Sequence, residues 1–114
     1  MQNWQAVVDF ACALPDVTMA PFYGKLCPRV NGKALASPGR EEGSFALFTS
    51  SIDEKLMLIE TDHATFWQTD HYRNYATVLV RYGTDANERL ETYIKRRWWD
   101  CASKPARHAW GERP

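Results

Sequence analysis

Most of the features that would fix a function outright are missing from this chain of 114 residues. No apolar run approaches the ~20 residues needed to cross a bilayer. The start, MQNWQAVVDFACALP, has no basic leader and carries Asp9 inside its apolar stretch, which argues against a secretory signal and makes the cytoplasm the expected compartment, with no membrane partner. Cysteine is scarce: Cys12, Cys27 and Cys101 form no C-x-x-C pair and no zinc-spaced set with histidine. Reduced, buried thiols are therefore expected, with no metal and no cofactor. A phosphate-cradling glycine loop is also lacking, because Gly39 and Gly43 flank Arg40-Glu41-Glu42, which reads as the acidic tip of a hairpin.

Net charge is absent too. Fourteen basic residues balance fourteen acidic ones and the sequence pI is near 6.8, well short of the pI above ~9 typical of a dedicated nucleic-acid domain. The balance hides an asymmetry. Residues 1–92 carry eight Lys/Arg against twelve Asp/Glu, a net −4, whereas residues 93–114 carry six against two, a net +4. A basic C-terminal patch of Lys95, Arg96, Arg97, Lys104 and Arg107 thus sits on an acidic body.

What is present is enough apolar material for one core. Hydrophobic residues make up 45 % of the chain and charged residues 25 %, the profile of a single globular domain over residues 1–114. Asn3 caps a first helix whose apolar positions Trp4, Val7, Val8, Ala11 and Leu14 recur at three-and-four spacing until Pro15. Turn residues then break the chain into short runs. Asn31-Gly32 tolerates the positive φ of a type I′ turn, so Leu26 to Val30 is expected to pair with Lys33 to Ser37, and Ser44 to Thr49 to follow as the next strand. Ser50 or Ser51, with Asp53 or Glu54 three residues on, signals a second helix with Ile52, Leu56 and Ile59 facing inward. Two more strands are expected at Thr65 to Thr69 and Ala76 to Tyr82. Asp85 with Glu88 opens a last helix along the stripe Leu90, Ile94, Trp98 and Cys101, and an irregular tail is expected from about Ser103. The order α-β-β-β-α-β-β-α describes an α+β two-layer sandwich, with helices on one face of an antiparallel sheet of about five strands.

Functional chemistry concentrates in Trp67 to Arg81. Asp70-His71-Tyr72-Arg73-Asn74-Tyr75 places an imidazole, two phenols and a guanidinium within six positions. Three readings stay open. His71 as base and Arg73 as anion clamp make a reaction centre, but no nucleophile or second acid lies nearby in sequence, so no catalytic residue is assigned. An aromatic, Arg-containing loop is also the composition of a binding hot spot. Finally, the same side chains serve a purely structural role if they bond the loop to the sheet. Asp62-His63, even with His108, falls short of a three-ligand metal set. Of five tryptophans, Trp4, Trp67 and Trp98 are expected to pack together. Trp98 and Trp99 lie about 100° apart on a helix, leaving Trp99 or Trp110 partly exposed.

Three motifs in register resemble the MmcQ/YjbR-like proteins: Ala13-Leu14-Pro15-Asp16-Val17, the hairpin Arg29 to Ala36, and Asp70 to Arg81. That resemblance spans about Trp4 to Trp110 and implies a fold similar to frataxin-like and secretion-chaperone-like sandwiches. It also implies DNA binding, the activity commonly ascribed to the family, and no established reaction. The chain departs from the family at Pro28, where an aromatic is common, and at Asn74-Tyr75-Ala76, where Gly-Tyr-Pro is. Two binding hypotheses follow for a monomer without catalysis. In one, DNA docks on the basic patch together with His71, Tyr72 and Arg73. In the other, a small molecule or protein partner occupies a groove near Tyr23, Trp67, His71 and Tyr72.

Overall fold

The computed structural model describes residues 1–41 and 43–114, so Glu42 of the expected acidic tip lies outside the described residues. The chain runs α1 (Trp4–Cys12), β1 (Thr18–Phe22), β2 (Lys25–Val30), β3 (Lys33–Ala34), β4 (Ala36–Pro38), β5 (Ser44–Phe48), α2 (Ile52–Thr61), β6 (Phe66–Trp67), β7 (Thr77–Arg81), α3 (Asn87–Cys101) and α4 (Lys104–Trp110). The expected α+β class holds, with more and shorter strands than the sequence pattern resolves. All pairings are antiparallel, in the orders β1-β2-β3 and β4-β5-β7-β6. Among the described residues, no helix is long and apolar enough to cross a membrane.

Alternation along the strands decides which face meets the helices. Phe45 and Leu47 on β5, Val78 and Val80 on β7, Ala36 on β4 and Phe66 on β6 turn to one side and pack with Val7, Ala11, Leu14, Leu58, Leu90, Ile94 and Trp98. Burying this apolar face is the main driving force of the fold, roughly 1.5–3 kcal/mol for each large side chain. Fully buried Trp98 donates its indole N–H to Pro15 O at 2.8 Å, tying α3 to the turn after α1. Trp67, one residue from Phe66 and paired with Leu79, faces the opposite side. It therefore does not join Trp4 and Trp98, as the sequence led one to expect, because adjacent strand residues alternate faces. Trp98 packs instead on Trp110, with ring centroids 4.9 Å apart.

The Asn31-Gly32 turn forms as expected, with φ of 51° and 78°. Arg29 fastens it, donating to Pro21 O at 2.8 Å and to Gly32 O. Pairing with β2 stops at Ala34, however, and the segment breaks at Leu35, whose N–H still donates to Pro28 O at 2.9 Å. Ser37 then pairs with Ala46 of β5 rather than with β2, so one bent segment joins the two sheets. A second tight hairpin, β1-β2, turns at Tyr23-Gly24 with φ of 49° and 81°. It was not expected, because Tyr-Gly lacks the Asn-Gly signature. At Gly39 an added Cβ would lie 2.7 Å from Ser44 O, so only glycine fits where β4 leaves for β5.

Three helix expectations change. In α2, Ser51 caps Glu54 N–H at 3.1 Å and Glu54 reaches back to Ser50 N–H at 3.0 Å; Ile59 packs on the core as expected, but Ile52 and Leu56 point outward and the buried positions are Lys55 and Leu58. The helix is thus turned by about 100° from its apolar reading. Fully buried Lys55 causes this: its ammonium donates to Tyr72 O at 2.9 Å, to Arg73 O at 3.2 Å and to Tyr75 O. Burial pushes its pKa below the ordinary lysine range, and the three carbonyls supply the polar partners that a buried cation needs. In α3 the cap is Ala86, which offers no side chain, in place of the Asp85–Glu88 box. The Met1 ammonium contacts Asn87 there. Beyond Ser103 the chain is helical rather than irregular, since Ser103 caps Ala106 N–H at 3.3 Å and Pro105 sits in the first turn, where proline is tolerated.

The last residues are held by Asp100, which accepts from Arg113 at 3.1 Å and from Ser50 at 3.0 Å. Burial raises this carboxyl, but the bonds from Arg113 and Ser50 and the charges of Arg113 and Arg97 together bring it below its ordinary value of 3.8. A depressed acid contributes stability above its unfolded pKa and loses it as pH falls through the folded value. Asp100→Asn is expected to cost about 1 kcal/mol or less at neutral pH, with the difference from wild type closing below pH ~3.8 in urea titrations. Lys55→Ala is expected to cost about 3 kcal/mol or more, read from the urea midpoint, because it removes a charge-assisted donor from three carbonyls.

Candidate functional site

On the sheet face away from the helices lies a groove of about 580 Å³. Its floor comes from Ser37 and Pro38 on β4, Ala46 and Phe48 on β5 and Thr77 on β7. One wall is the β1-β2 hairpin tip, with Phe22, Tyr23 and Lys25, and the other is the 70–75 loop, with His71, Tyr72 and Tyr75. Arg40 enters from the β4-β5 connection. Five of the twelve described lining residues are aromatic, three are basic and none is acidic, so the groove has the apolar walls and few convergent charges of a ligand site.

The 70–75 loop is shaped by its backbone. A 3-10 turn over Asp70–Tyr72 leads into the carbonyls gripped by Lys55, and this grip leaves the side chains outside. His71 is exposed and meets the Tyr72 ring edge-on at 4.7 Å. Each of its ring nitrogens lies 3.3 Å from Arg40 Nη1. Arg73 turns away from the groove and pairs with Asp70 at 2.6 Å in solvent. Opposite, Tyr23 stands 92 % exposed on its left-handed turn residue, and Tyr75 is 61 % exposed. Of the groove expected from sequence, Tyr23, His71 and Tyr72 come together. Trp67 does not line it, and carries Arg81 over its ring at 4.9 Å on the same sheet face. Arg40, Lys25, Phe48 and Tyr75 were missed, and for Arg40 and Lys25 only their nearness to turn glycines, Gly39 and Gly24, would have pointed to them.

The C-terminal cations divide between two helices, Lys95, Arg96 and Arg97 on α3 and Lys104 and Arg107 on α4. Lys95, Arg96 and Arg97 are consecutive on α3 and so diverge by about 100° each. Lys95 lies over the Phe10 ring at 5.9 Å, and Arg96 donates to Pro114 O at 2.8 Å and covers Tyr93. Arg97 donates to Ala34 O at 3.0 Å and lies 4.9 Å from the centre of the Phe48 ring, a residue that lines the groove. Lys104 is exposed and Arg107 half-buried on α4. Arg96 and Arg97 are therefore engaged within the fold by carbonyls and aromatic rings.

Elsewhere, Asp62 receives Thr65 N–H at 3.2 Å and His63 lends its carbonyl to Arg81 at 3.1 Å. A shallower depression of about 610 Å³ between Asp62, Thr65, Thr84 and Glu88 is rimmed by carboxylates. Among the described residues, no three His, Cys, Asp or Glu side chains gather as metal ligands. All three cysteines are free, and burial raises their pKa values away from reactive thiolate.

A division of labour among the cations is testable. Arg97→Glu is expected to lower stability by about 2 kcal/mol, losing a charged hydrogen bond and a cation–π contact. Arg40→Gln and Tyr23→Asn are expected to stay within about 0.5 kcal/mol in the same urea experiment, as surface side chains do. Comparison of the chain with protein-family models, with curated proteins and with solved structures gave no match in any of the three.

Proposed function

We propose that this chain is a binding module whose site is the groove between the β1-β2 hairpin and the 70–75 loop, and that its ligand is anionic. The supporting observation is the lining itself: Lys25, Arg40 and His71 accompany aromatic walls, with no carboxylate among the described lining residues. Basic side chains gathered around one cleft focus their field there and raise the local concentration of anions. Docking of DNA on the α3 and α4 cations, the activity that the MmcQ/YjbR-like resemblance implies, has weaker support. Arg96 and Arg97 are engaged by backbone carbonyls and aromatic rings and point in different directions.

Inorganic pyrophosphate tests the groove reading. At ~50 mM salt and a hundredfold excess over its Kd it is expected to stabilise the fold by about 2.7 kcal/mol, several degrees in Tm for a chain of this size. Arg40→Glu is expected to abolish the shift, and Lys104→Glu to leave it intact. A shift lost with Lys104→Glu and kept with Arg40→Glu would move the anion site to α4 and sink the proposal.

A further inference from the structure

Resting on that reading of the groove, we infer that the occupant is a nucleoside phosphate, with its base against Tyr23 and Tyr75 and its phosphate against Arg40 and His71. Two features of the geometry separate a ring-binding end from a charge-binding end. Ser37 and Ala46 are register partners at one end of the floor, and Phe48 and Thr77 are partners at the other. The two ends lie two strand residues apart, about 6.6 Å. Arg40 follows β4 beyond Ser37, while Tyr75 leads into β7 just before Thr77. Arg40 and Tyr75 thus leave the floor at opposite ends, with Ser37 and Thr77 between them.

The aromatic end is built to stack and contributes little to the core. Tyr23 is 92 % exposed on a turn whose two positive φ values fix its direction, and Tyr75 is 61 % exposed on backbone clamped by Lys55. Exposed rings on rigid backbone are stacking platforms that accept any base. At the charged end, Arg40 Nη1 lies 3.3 Å from both ring nitrogens of His71, so one phosphate would reach the guanidinium and the imidazole together. The volume, about 580 Å³, is that of a small-molecule site.

Calorimetric titration of the full chain at ~50 mM salt separates the possibilities. Adenosine monophosphate is expected to bind at least tenfold more tightly than inorganic phosphate, adenosine or benzoate. Tyr23→Asn, which keeps a residue tolerant of left-handed backbone, is expected to weaken adenosine monophosphate at least fivefold and leave phosphate unchanged. A hexadeoxyadenylate arm identifies the source of the nucleotide unit: tighter, steeply salt-dependent binding means the end of a single strand, and equal or weaker binding means a free nucleotide. If adenosine monophosphate is no tighter than phosphate or benzoate, the nucleoside assignment is overturned while the anion site stands. If none of the anions binds, both fall.

Discussion

A single buried ammonium organises the side of this protein that carries the groove. Lys55 reaches from α2 to three carbonyls of the 70–75 loop, and a cation without water tolerates no other arrangement than one that surrounds it with oxygen. The bond fixes two things at once. It sets the rotation of α2, leaving Ile52, Leu56 and Met57 partly exposed. It also turns the loop's backbone inward, so that His71 and Tyr75 have only the outside left to occupy. The loop is presented by its main chain, which explains how a polar segment without helix or strand holds a defined face toward the groove.

The opposite wall has a different origin. Two tight turns with paired positive φ, at Tyr23-Gly24 and Asn31-Gly32, bracket β2, and Arg29 braces both by donating to Pro21 O and Gly32 O. The break at Leu35 hands the same chain from β2 to β5 and brings Ser37 and Ala46 beneath the hairpin tip. Arg97 packs on the Phe48 ring, so even a cation of α3 touches the groove's floor. Basic residues therefore divide into those spent on the fold, such as Lys55, Arg29, Arg96 and Arg97, and those left at the rim, Lys25 and Arg40.

Much of this architecture was legible in the sequence. Helix α1 and its Asn3 cap, the Asn31-Gly32 turn, the central strand β7 and the buried stripe of α3 all followed from periodicity and turn chemistry, which are local properties. The β1-β2 hairpin escaped because tyrosine rarely marks a left-handed turn position. Helix α4 escaped because Pro105 looks like a breaker until its place in the first turn is known. For α2 the apolar pattern pointed the wrong way, since hydropathy treats lysine as a solvent residue and has no means of seeing three carbonyls far along the chain.

The candidate site divides along the same line. Composition alone marked Asp70 to Tyr75 as unusual, and its coupling to Tyr23 was anticipated, because aromatic and titratable residues at that density are visible without coordinates. Which of them face the same space was decided by tertiary structure: Trp67 lies apart, Arg73 folds onto Asp70, Arg40 arrives from the β4-β5 connection and Lys25 from the start of β2. The sequence by itself determined the elements and their class, because helices, strands and turns answer to neighbours a few residues away. Only the tertiary structure decided which cations are buried and which remain at the groove, because that choice depends on carbonyls and rings brought close from distant parts of the chain.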